Sequence, residues 1–315
     1  MHSRRRHEDH RSRHRDGQTH QRARAPFSVD GLTIPRPATP ARPHPRASGR
    51  TPVSRRAIGG GGNAGEFDGK VAIVTGGGAG IGFAIARAFG REGARVAIAG
   101  RTEATLAHAA KTIEDEYGRP VLTVAADVAE AADCERMIAA TIESLGAVDI
   151  LVNNAALFAV LPLIAADVGE AARFFAVNAI GPLNGARAFA RWAIAHQRGG
   201  AIVNVSSIAA GRPAPGLGLY SASKAALESL TRTMAVEWAG NGLRVNAVAP
   251  GHVATEGVLA DLRTGRLDEK AVLARIPAGR IADGDDIAEA VLFLCSNRAR
   301  HILGHVLTVD GGEGF

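Results

Sequence analysis

Residues 71–82, Val-Ala-Ile-Val-Thr-Gly-Gly-Gly-Ala-Gly-Ile-Gly, join an unbroken apolar run to a cluster of glycines, and an amphipathic stretch follows at once. An unbroken run of this kind is typical of a strand that is buried on both faces of a parallel sheet. Glycines let the backbone approach a phosphate closely, and the free N–H groups and dipole of a following helix favour its negative charge. The stretch therefore predicts a strand, a tight turn and a helix N-terminus that together bind a pyrophosphate.

Similar apolar runs recur along the chain and alternate with helical patterns. The other runs that predict buried strands are 95–100, 121–127, 149–156, 201–207, 243–251 and 305–311. The stretches that predict helices are 81–92, 102–117, 129–145, 168–197, 219–240 and 285–296. Asp283, three residues before Asp286, predicts a capped start for the last helix. Seven strands that alternate with helices predict one α/β domain over residues 66–315, a doubly wound, Rossmann-like parallel sheet with helices on both faces.

Residues 1–65 form a segment of different character, rich in Arg, His, Pro and Gly. The segment holds 14 Arg and 4 acidic residues, and its apolar residues show no periodicity. Because it cannot bury enough apolar surface to offset the entropy of ordering, it is predicted to be a disordered tail. Two other interpretations stay open, an Arg-rich presequence and a start codon assigned upstream of the true start.

The distribution of charge and cysteine argues against several classes of partner. The chain has a net charge of +6, but the basic excess belongs to the tail, and residues 66–315 have no basic stripe that predicts a nucleic-acid partner. No apolar run approaches the ~20 residues that a membrane span needs, so no membrane partner is predicted. Cys134 and Cys295 have neither a CxxC neighbour nor a histidine at ligand spacing. They are predicted to be buried, reduced thiols in a cytoplasmic protein without a metal site.

The spacing of the glycine turn, TGxxxGxG from Thr75, resembles that of the short-chain dehydrogenase/reductase family, and the resemblance extends over essentially all of residues 66–315. It implies an oxidoreductase that moves a hydride between NAD(P) and a carbonyl or secondary alcohol, and a homo-oligomer, either a dimer or a tetramer. Asn153-Asn154-Ala155-Ala156 resembles the family's NNAG, with Ala156 in place of glycine. The residues 250–255, Pro-Gly-His-Val-Ala-Thr, resemble a segment that closes over the nicotinamide.

The glycine turn and this resemblance together predict the cofactor-binding residues. Asp127, with Val128 beside it, matches the acid that contacts adenine in the family. The full set is Gly76, Ala79, Gly80, Ile81, Gly82, Arg101, Asp127, Val128, Asn154, Ala155, Tyr220, Lys224, Val253 and Thr255.

The end of the second strand predicts which cofactor is preferred. An acid at this position would bond the adenine ribose 2′-OH and repel a 2′-phosphate. The chain has Gly100 there, followed by Arg101, whose guanidinium suits a phosphate. NADP is therefore favoured over NAD, although the glycine turn offers no second basic residue because Ala79 occupies that place.

Tyr220 and Lys224 form a YxxxK pair whose side chains share one face of a predicted helix. Reduction of a ketone builds negative charge on oxygen, so a positioned proton donor is required. A cation ~4 Å from the phenol, at an effective dielectric of about 20, would lower its pKa by roughly 3 units toward neutral pH. By the resemblance, Ser207, thirteen residues earlier, bonds the reacting oxygen, and Asn178 holds a water that joins the lysine to solvent. The predicted catalytic residues are Asn178, Ser207, Tyr220 and Lys224.

Two other classes of function are weighed against the enzyme. A nucleotide sensor would not need all four catalytic groups, and a tail that binds RNA would be expected to carry aromatic residues among its arginines. His252 either contacts the substrate or lies on the surface of the segment over the cofactor, and it is not assigned a catalytic role. Residues 157–165 are apolar and favour an apolar substrate; cyclic or aromatic ketones, polyols and acyl thioesters all stay open.

Overall fold

The computed structural model describes residues 65–212 and 214–314, together with the backbone of two short strands near the N-terminus. The chain divides into two compact units, 1–55 and 56–315. In the first unit, β1 (Ser28–Val29) pairs antiparallel with β2 (Leu32–Thr33). The rest of the segment 1–64 lies outside the described residues, and so do the predictions of a disordered tail, a presequence or a misplaced start.

The second unit is built on a seven-stranded sheet in which every neighbouring pair is parallel. Its strands are β3 (Val71–Thr75), β4 (Arg95–Gly100), β5 (Val121–Ala125), β6 (Ile150–Asn153), β7 (Gly200–Val205), β8 (Leu243–Pro250) and β9 (Val306–Val309). The strand order is β5-β4-β3-β6-β7-β8-β9. The order reverses direction between β3 and β6, and in a doubly wound sheet the crevice at such a reversal is where ligands bind.

The described part of the chain has nine α-helices, six of which pack on the two faces of this sheet. They are α1 (Gly80–Arg91), α2 (Glu103–Tyr117), α3 (Ala131–Leu145), α4 (Val168–Phe175), α5 (Gly181–Ala195), α6 (Gly218–Trp238), α7 (Glu256–Arg263), α8 (Glu269–Leu273) and α9 (Gly284–Cys295). Helices α1, α2 and α9 cover one face of the sheet, while α3, α5 and α6 cover the other. The predicted doubly wound architecture is therefore confirmed.

The strands send alternate side chains into two separate cores. In β3, Val74 packs into the core around Phe89 of α1, whereas Ile73 packs into the core around Phe189 of α5. Every residue of β3 is buried, which is why the sequence shows an unbroken apolar run instead of alternation. Cys134 and Cys295 are buried free thiols, as predicted, and they belong to helices on opposite faces.

The structure corrects the predicted elements in three respects. The predicted helix 168–197 consists of α4 and α5 joined by a π-helical turn, Ala176–Ile180, which apolar periodicity alone does not reveal. Helices α7 and α8 were not predicted. The predicted strand 149–156 ends at Asn153, because residues 154–156 leave the sheet to line the crevice. The predicted cap at Asp283 is confirmed, and with Asp286 it forms a reciprocal capping box.

Candidate active site

The glycine turn between β3 and α1 is folded too tightly to hold side chains at two of its glycines. A Cβ atom at Gly82 would lie 2.2 Å from the carbonyl oxygen of Gly76, and one at Gly77 would lie 2.6 Å from Ile98. Ala79 is the N-cap of α1, and no side chain caps that helix. The N–H groups of the first turn therefore remain available to an anion, so this turn fits the pyrophosphate of a dinucleotide.

Hydrogen bonds join the glycine turn to the segment that follows β6. The Thr75 hydroxyl accepts from the backbone N–H groups of Asn154 (3.0 Å) and Ala155 (3.1 Å). In return, Nδ2 of Asn154 donates to the carbonyl oxygens of Thr75 (3.0 Å) and Gly76 (3.3 Å). The Asn154 side chain thus holds the two edges of the crevice together, a positioning role that the sequence did not reveal.

A cavity of about 460 Å³ lies beside this turn, along the carboxyl ends of the strands from β4 to β6. Six of the predicted cofactor-binding residues line it: Gly76, Ala79, Arg101, Asp127, Val128 and Ala155. The lining also includes residues that were not predicted as binding residues, among them Gly78, Thr102, Thr105, Leu106, Leu157, Arg173, Ala176 and Val177. Of these, Arg173 and Val177 lie one helical turn apart and just before Asn178, a spacing that could have pointed to them.

The other predicted cofactor residues lie around this cavity without being part of its lining. Gly80, Ile81 and Gly82 form the first turn of α1, and Val253 and Thr255 follow β8. The methyl group of Thr255 lies 3.4 Å from the place of a Cβ atom at Gly80. The segment after β8 therefore packs against the glycine turn, whereas its closure over the nicotinamide stays a prediction.

Two charged side chains at the far end of the cavity differ in how they are held. Asp127 accepts a hydrogen bond from the Ala129 N–H at 3.0 Å, and its own N–H donates to Asp133 at 2.9 Å. Arg101 is exposed, and its side chain makes no ion pair or hydrogen bond with any other residue that the structure describes. Its guanidinium is therefore available to a ligand.

Ser207, Tyr220 and Lys224 converge where β7 ends and α6 begins. Nζ of Lys224 lies 5.8 Å from the centroid of the Tyr220 ring and donates a 2.7 Å hydrogen bond to the carbonyl oxygen of Val205. The side chain of Ser207 interacts with the Tyr220 phenol. Lys224 is only 2% exposed. The structure thus brings three of the four predicted catalytic side chains together at the carboxyl edge of the sheet.

The fourth, Asn178, is completely buried in the π-helical turn. Its side chain forms hydrogen bonds with the backbone next to the site. Its Oδ1 accepts from the N–H of Leu157 (2.7 Å), and its Nδ2 donates to the Leu157 carbonyl (2.9 Å) and to Ser223 Oγ (3.0 Å). Ser223 in turn donates to the carbonyl oxygen of Tyr220 at 2.7 Å. Asn178 therefore connects the segment after β6 to the first turn of α6, whereas its contact with a water stays a prediction.

Burial dominates the protonation of the tyrosine and the lysine. It raises the pKa of the Tyr220 phenol, and the interaction with Ser207 offsets part of this effect. It lowers the pKa of Lys224 from 10.5 to about 8. The predicted lowering of the phenol pKa by Lys224 is wrong for this arrangement. The ammonium is directed at the carbonyl of Val205, and its attraction for the phenolate does not outweigh desolvation of the phenol.

The sheet order, the glycine turn and the cluster at the carboxyl edge define the class of dinucleotide-dependent oxidoreductases. Residues 76–313 match the family model described as enoyl-(acyl carrier protein) reductase. The chain belongs to the short-chain dehydrogenase/reductase family, whose dehydrogenases use NAD or NADP.

Curated relatives and solved structures agree with this assignment. The chain is 41% identical over 257 residues to the sorbitol dehydrogenase of Cereibacter sphaeroides, a match that spans 79% of this chain and 98% of that protein. It is 40% identical to the 2-(R)-hydroxypropyl-CoM dehydrogenase of Xanthobacter autotrophicus, over 77% of this chain and 97% of that protein. The crystal structure of a short-chain type dehydrogenase/reductase from Mycobacterium marinum has a TM-score of 0.73 at 31% identity, covering 78% of this chain and 96% of that one.

Two further features are absent from the described residues. No helix among them is both long and apolar enough to cross a membrane. None of their His, Cys, Asp and Glu side chains form a group of three or more that could hold a metal ion.

Replacement of Lys224 by methionine should stabilise the protein at neutral pH. The folded-state pKa of about 8 lies below the unfolded value of 10.5, so burial of the ammonium costs up to about 3 kcal/mol below pH 8. This cost disappears as the pH rises toward 10.5. In urea unfolding we expect Lys224→Met to gain about 1–3 kcal/mol at pH 7, and less at pH 10, since the bond to Val205 is also lost.

The exposed Lys270 provides a matched control, because Lys270→Met removes the same charge without relieving burial. Its free energy of unfolding should stay within about 0.5 kcal/mol of wild type. A Lys224→Met protein that is less stable than wild type at pH 7 would show that the buried ammonium is not a net cost.

Proposed function

We propose that the protein is an NAD(P)-dependent alcohol dehydrogenase or ketoreductase in which Tyr220 is the general acid and base. The observation that carries the proposal is the convergence of Ser207, Tyr220 and Lys224 at the carboxyl end of β7, at the same edge of the sheet as the glycine turn and its cavity. A non-catalytic nucleotide sensor has no need for these three groups together, so the enzyme is favoured over the sensor.

Each of the three side chains has a chemical task in carbonyl reduction. The Ser207 hydroxyl donates a hydrogen bond to the carbonyl oxygen, and the Tyr220 O–H transfers its proton to that oxygen as negative charge develops. The bound nicotinamide supplies the hydride. The raised pKa of Tyr220 keeps the phenol protonated at neutral pH, while the positive charge of Lys224 favours the phenolate that the transfer leaves behind. Alcohol oxidation reverses these steps, with the Tyr220 phenolate as the base.

Tyr220→Phe should reduce turnover by at least ~10²-fold in both directions, since it removes the only phenolic proton of the site but keeps the ring. Affinity for the cofactor, measured by quenching of tryptophan fluorescence, should stay close to that of wild type. The matched control is Tyr117→Phe, which removes the other tyrosine hydroxyl of the chain, on α2, and should leave turnover unchanged. A Tyr220→Phe enzyme that keeps more than about a tenth of wild-type turnover would exclude the general-acid role.

NADP is the proposed cofactor. Gly100 ends β4 where an acid would repel a 2′-phosphate, and the unpaired, exposed Arg101 follows it at the cavity. Arg173 of α4 is a second arginine in the lining, and among the described residues it too has no ion-pair partner. Two unpaired guanidinium groups around one cavity favour NADP over NAD, because NADP carries the additional negative charge of its 2′-phosphate.

The double variant Gly100→Asp/Arg101→Gln should change the preference toward NAD. A Cβ atom at Gly100 meets only Leu106, at 3.5 Å, which is ordinary van der Waals contact, so the backbone there can accept a side chain. The double variant removes the Arg101 cation and adds a carboxylate that repels the 2′-phosphate of NADP. It should therefore lower the NADP:NAD ratio of kcat/KM by roughly tenfold to a few hundredfold. Arg91→Gln, on the far end of α1, is the control and should leave the ratio unchanged. An unchanged ratio in the double variant would refute the assignment of Arg101.

The walls next to Tyr220 favour a substrate with an apolar body. The ring of Phe158 lies edge-on to that of Tyr220, with centroids 5.1 Å apart, and Phe158 is 59% exposed. Val160 and Leu163 continue the wall by packing against Gly216 and Gly218, where a Cβ atom would lie 2.6 Å from each side chain. No charged residue occurs in residues 157–166 or 214–222. A hydrocarbon group could bury these exposed side chains, whereas a polyol would find few hydrogen-bond partners.

A comparison of 2-hexanol with sorbitol, which have equal numbers of carbons, tests this substrate class. We expect kcat/KM to be at least about tenfold higher for 2-hexanol, the gain from burying roughly two CH₂ groups. Phe158→Ser should reduce this preference, while Val236→Ser, at the exposed far end of α6, should not. A preference for sorbitol, or for an acyl thioester added to the panel, would overturn the apolar substrate and leave the oxidoreductase assignment intact.

A further inference from the structure

A buried carboxylate near the C-terminus holds the residue that follows the Pro-Gly pair at the end of β8. Glu313 is 3% exposed. Its Oε1 and Oε2 lie 2.8 and 2.9 Å from Nδ1 of His252, and Oε2 also accepts from the His252 backbone N–H at 3.1 Å. Arg275, on the other side, lies 3.6 Å from Oε1. A carboxylate is costly to bury without such partners, and hydrogen bonds to a charged acceptor are stronger than those between neutral groups.

The C-terminal segment is shaped to present this carboxylate. Asp310 accepts from the N–H groups of Gly312 (2.9 Å) and Gly314 (2.7 Å), which closes residues 310–314 into a tight turn. Gly312 has φ +91°, a left-handed conformation that favours glycine. A Cβ atom at Gly251 would lie 2.8 Å from Asp310 and 2.9 Å from Glu313 Oε2. The turn 310–314 therefore fits directly against the segment that begins at Gly251.

The held segment, residues 251–255, is the one that reaches the glycine turn. Val253 forms an isolated parallel bridge with Ala282, and the Ala254 N–H donates to the Ala282 carbonyl at 2.8 Å. Thr255, which caps α7, places its methyl group against Gly80. The contacts of residues 251–255 thus run from Glu313 at one end to the glycine turn at the other.

We propose that Glu313 is a positioning residue for the cofactor, and that it acts through His252. We call Glu313 and His252 together the C-terminal latch. The proposal rests on the proposed function, because the latch holds Val253 and Thr255 over the site where the dinucleotide binds. With Nδ1 and the backbone N–H of His252 fixed on one carboxylate, residues 251–255 are ordered before the cofactor arrives. Binding of the cofactor then does not carry the free-energy cost of ordering these residues, so its affinity is higher.

His252 thus has a contact that neither of its two interpretations, a substrate contact or a surface position, included. Nδ1 of His252 is committed to Glu313 as a hydrogen-bond donor. The side chain is therefore oriented by the turn 310–314, and the proposal assigns it a positioning role. An asparagine, whose Nδ2 can occupy a place similar to Nδ1, should serve the latch as well as histidine does.

Four variants test the latch: Glu313→Ala, His252→Leu, His252→Asn and the control Glu289→Ala, which removes an exposed carboxylate from α9. Binding of NADPH and NADH would be titrated by fluorescence, turnover measured, and hydrogen exchange followed in peptides that contain residues 251–256. We expect Glu313→Ala and His252→Leu to raise the Kd and KM of the cofactor about tenfold, the effect of one lost bond to a charged group. The same two variants should change kcat by less than about threefold and should speed hydrogen exchange in residues 251–256. His252→Asn and Glu289→Ala should resemble wild type.

The outcomes separate the latch from the proposed function and from a merely structural role. A wild-type protein that binds neither cofactor would overturn the proposed function and the latch with it. If wild type binds and Glu313→Ala binds equally well, the latch alone is overturned. Lower thermal stability with unchanged cofactor Kd and unchanged exchange in 251–256 would assign Glu313 a structural role only. Loss of turnover in His252→Asn at saturating cofactor would make His252 a catalytic residue and refute the positioning role.

Discussion

Everything at the active site depends on the reversal of strand order between β3 and β6. Parallel strands place all their carboxyl ends at one edge of the sheet, and the connections on the two sides of the reversal run to opposite faces. A crevice opens between them, and the Thr75–Asn154 hydrogen bonds set its width. The glycine turn can therefore lie next to the segment after β6, and both lie near the end of β7 that carries Ser207.

The chemistry at this edge comes at a cost in stability. Lys224 is an ammonium-bearing side chain in an almost completely buried place, and its lowered pKa measures how unfavourable the charge is there. Its one hydrogen bond, to the Val205 carbonyl, does not replace the hydration that burial removes. A neutral side chain in place of Lys224 would make the protein more stable, but it could not favour a phenolate at Tyr220. Tension of this kind between stability and activity is expected at sites that perturb the pKa of their groups.

The relatives and the local chemistry of the substrate wall contribute different information. The family match covers most of the chain, and curated relatives include dehydrogenases named for sorbitol and for 2-(R)-hydroxypropyl-CoM. The proposed substrate wall is formed by three exposed residues, Phe158, Val160 and Leu163, of which Phe158 lies against the ring of Tyr220. Substrate choice follows from such side chains, whose identity the fold does not constrain.

The sequence by itself determined the features that depend on local spacing. The apolar runs predicted all seven strands of the main sheet, because strands that are buried on both faces, such as β3, are predominantly apolar along their length. The order of glycines in the turn and the four-residue spacing of Tyr220 and Lys224 placed the two ends of the site, since both follow from the geometry of one turn or one helix face. Family resemblance added Ser207 and Asn178. The end of the strand 149–156 at Asn153 and the interruption of the helix 168–197 were missed because apolar periodicity carries little information about where the hydrogen-bonding pattern changes.

Only the tertiary structure decided how distant residues meet. Glu313 lies 61 residues from His252 in sequence, and nothing in either segment indicates that they form a pair. Arg173 enters the cofactor cavity because the π-helical turn and α4 pack beside it, and Asn154 bonds the glycine turn across the reversal of the sheet. The direction of the Tyr220 pKa was also a tertiary property. Spacing gives the distance between a phenol and an ammonium along a helix, whereas desolvation depends on everything that is packed around them.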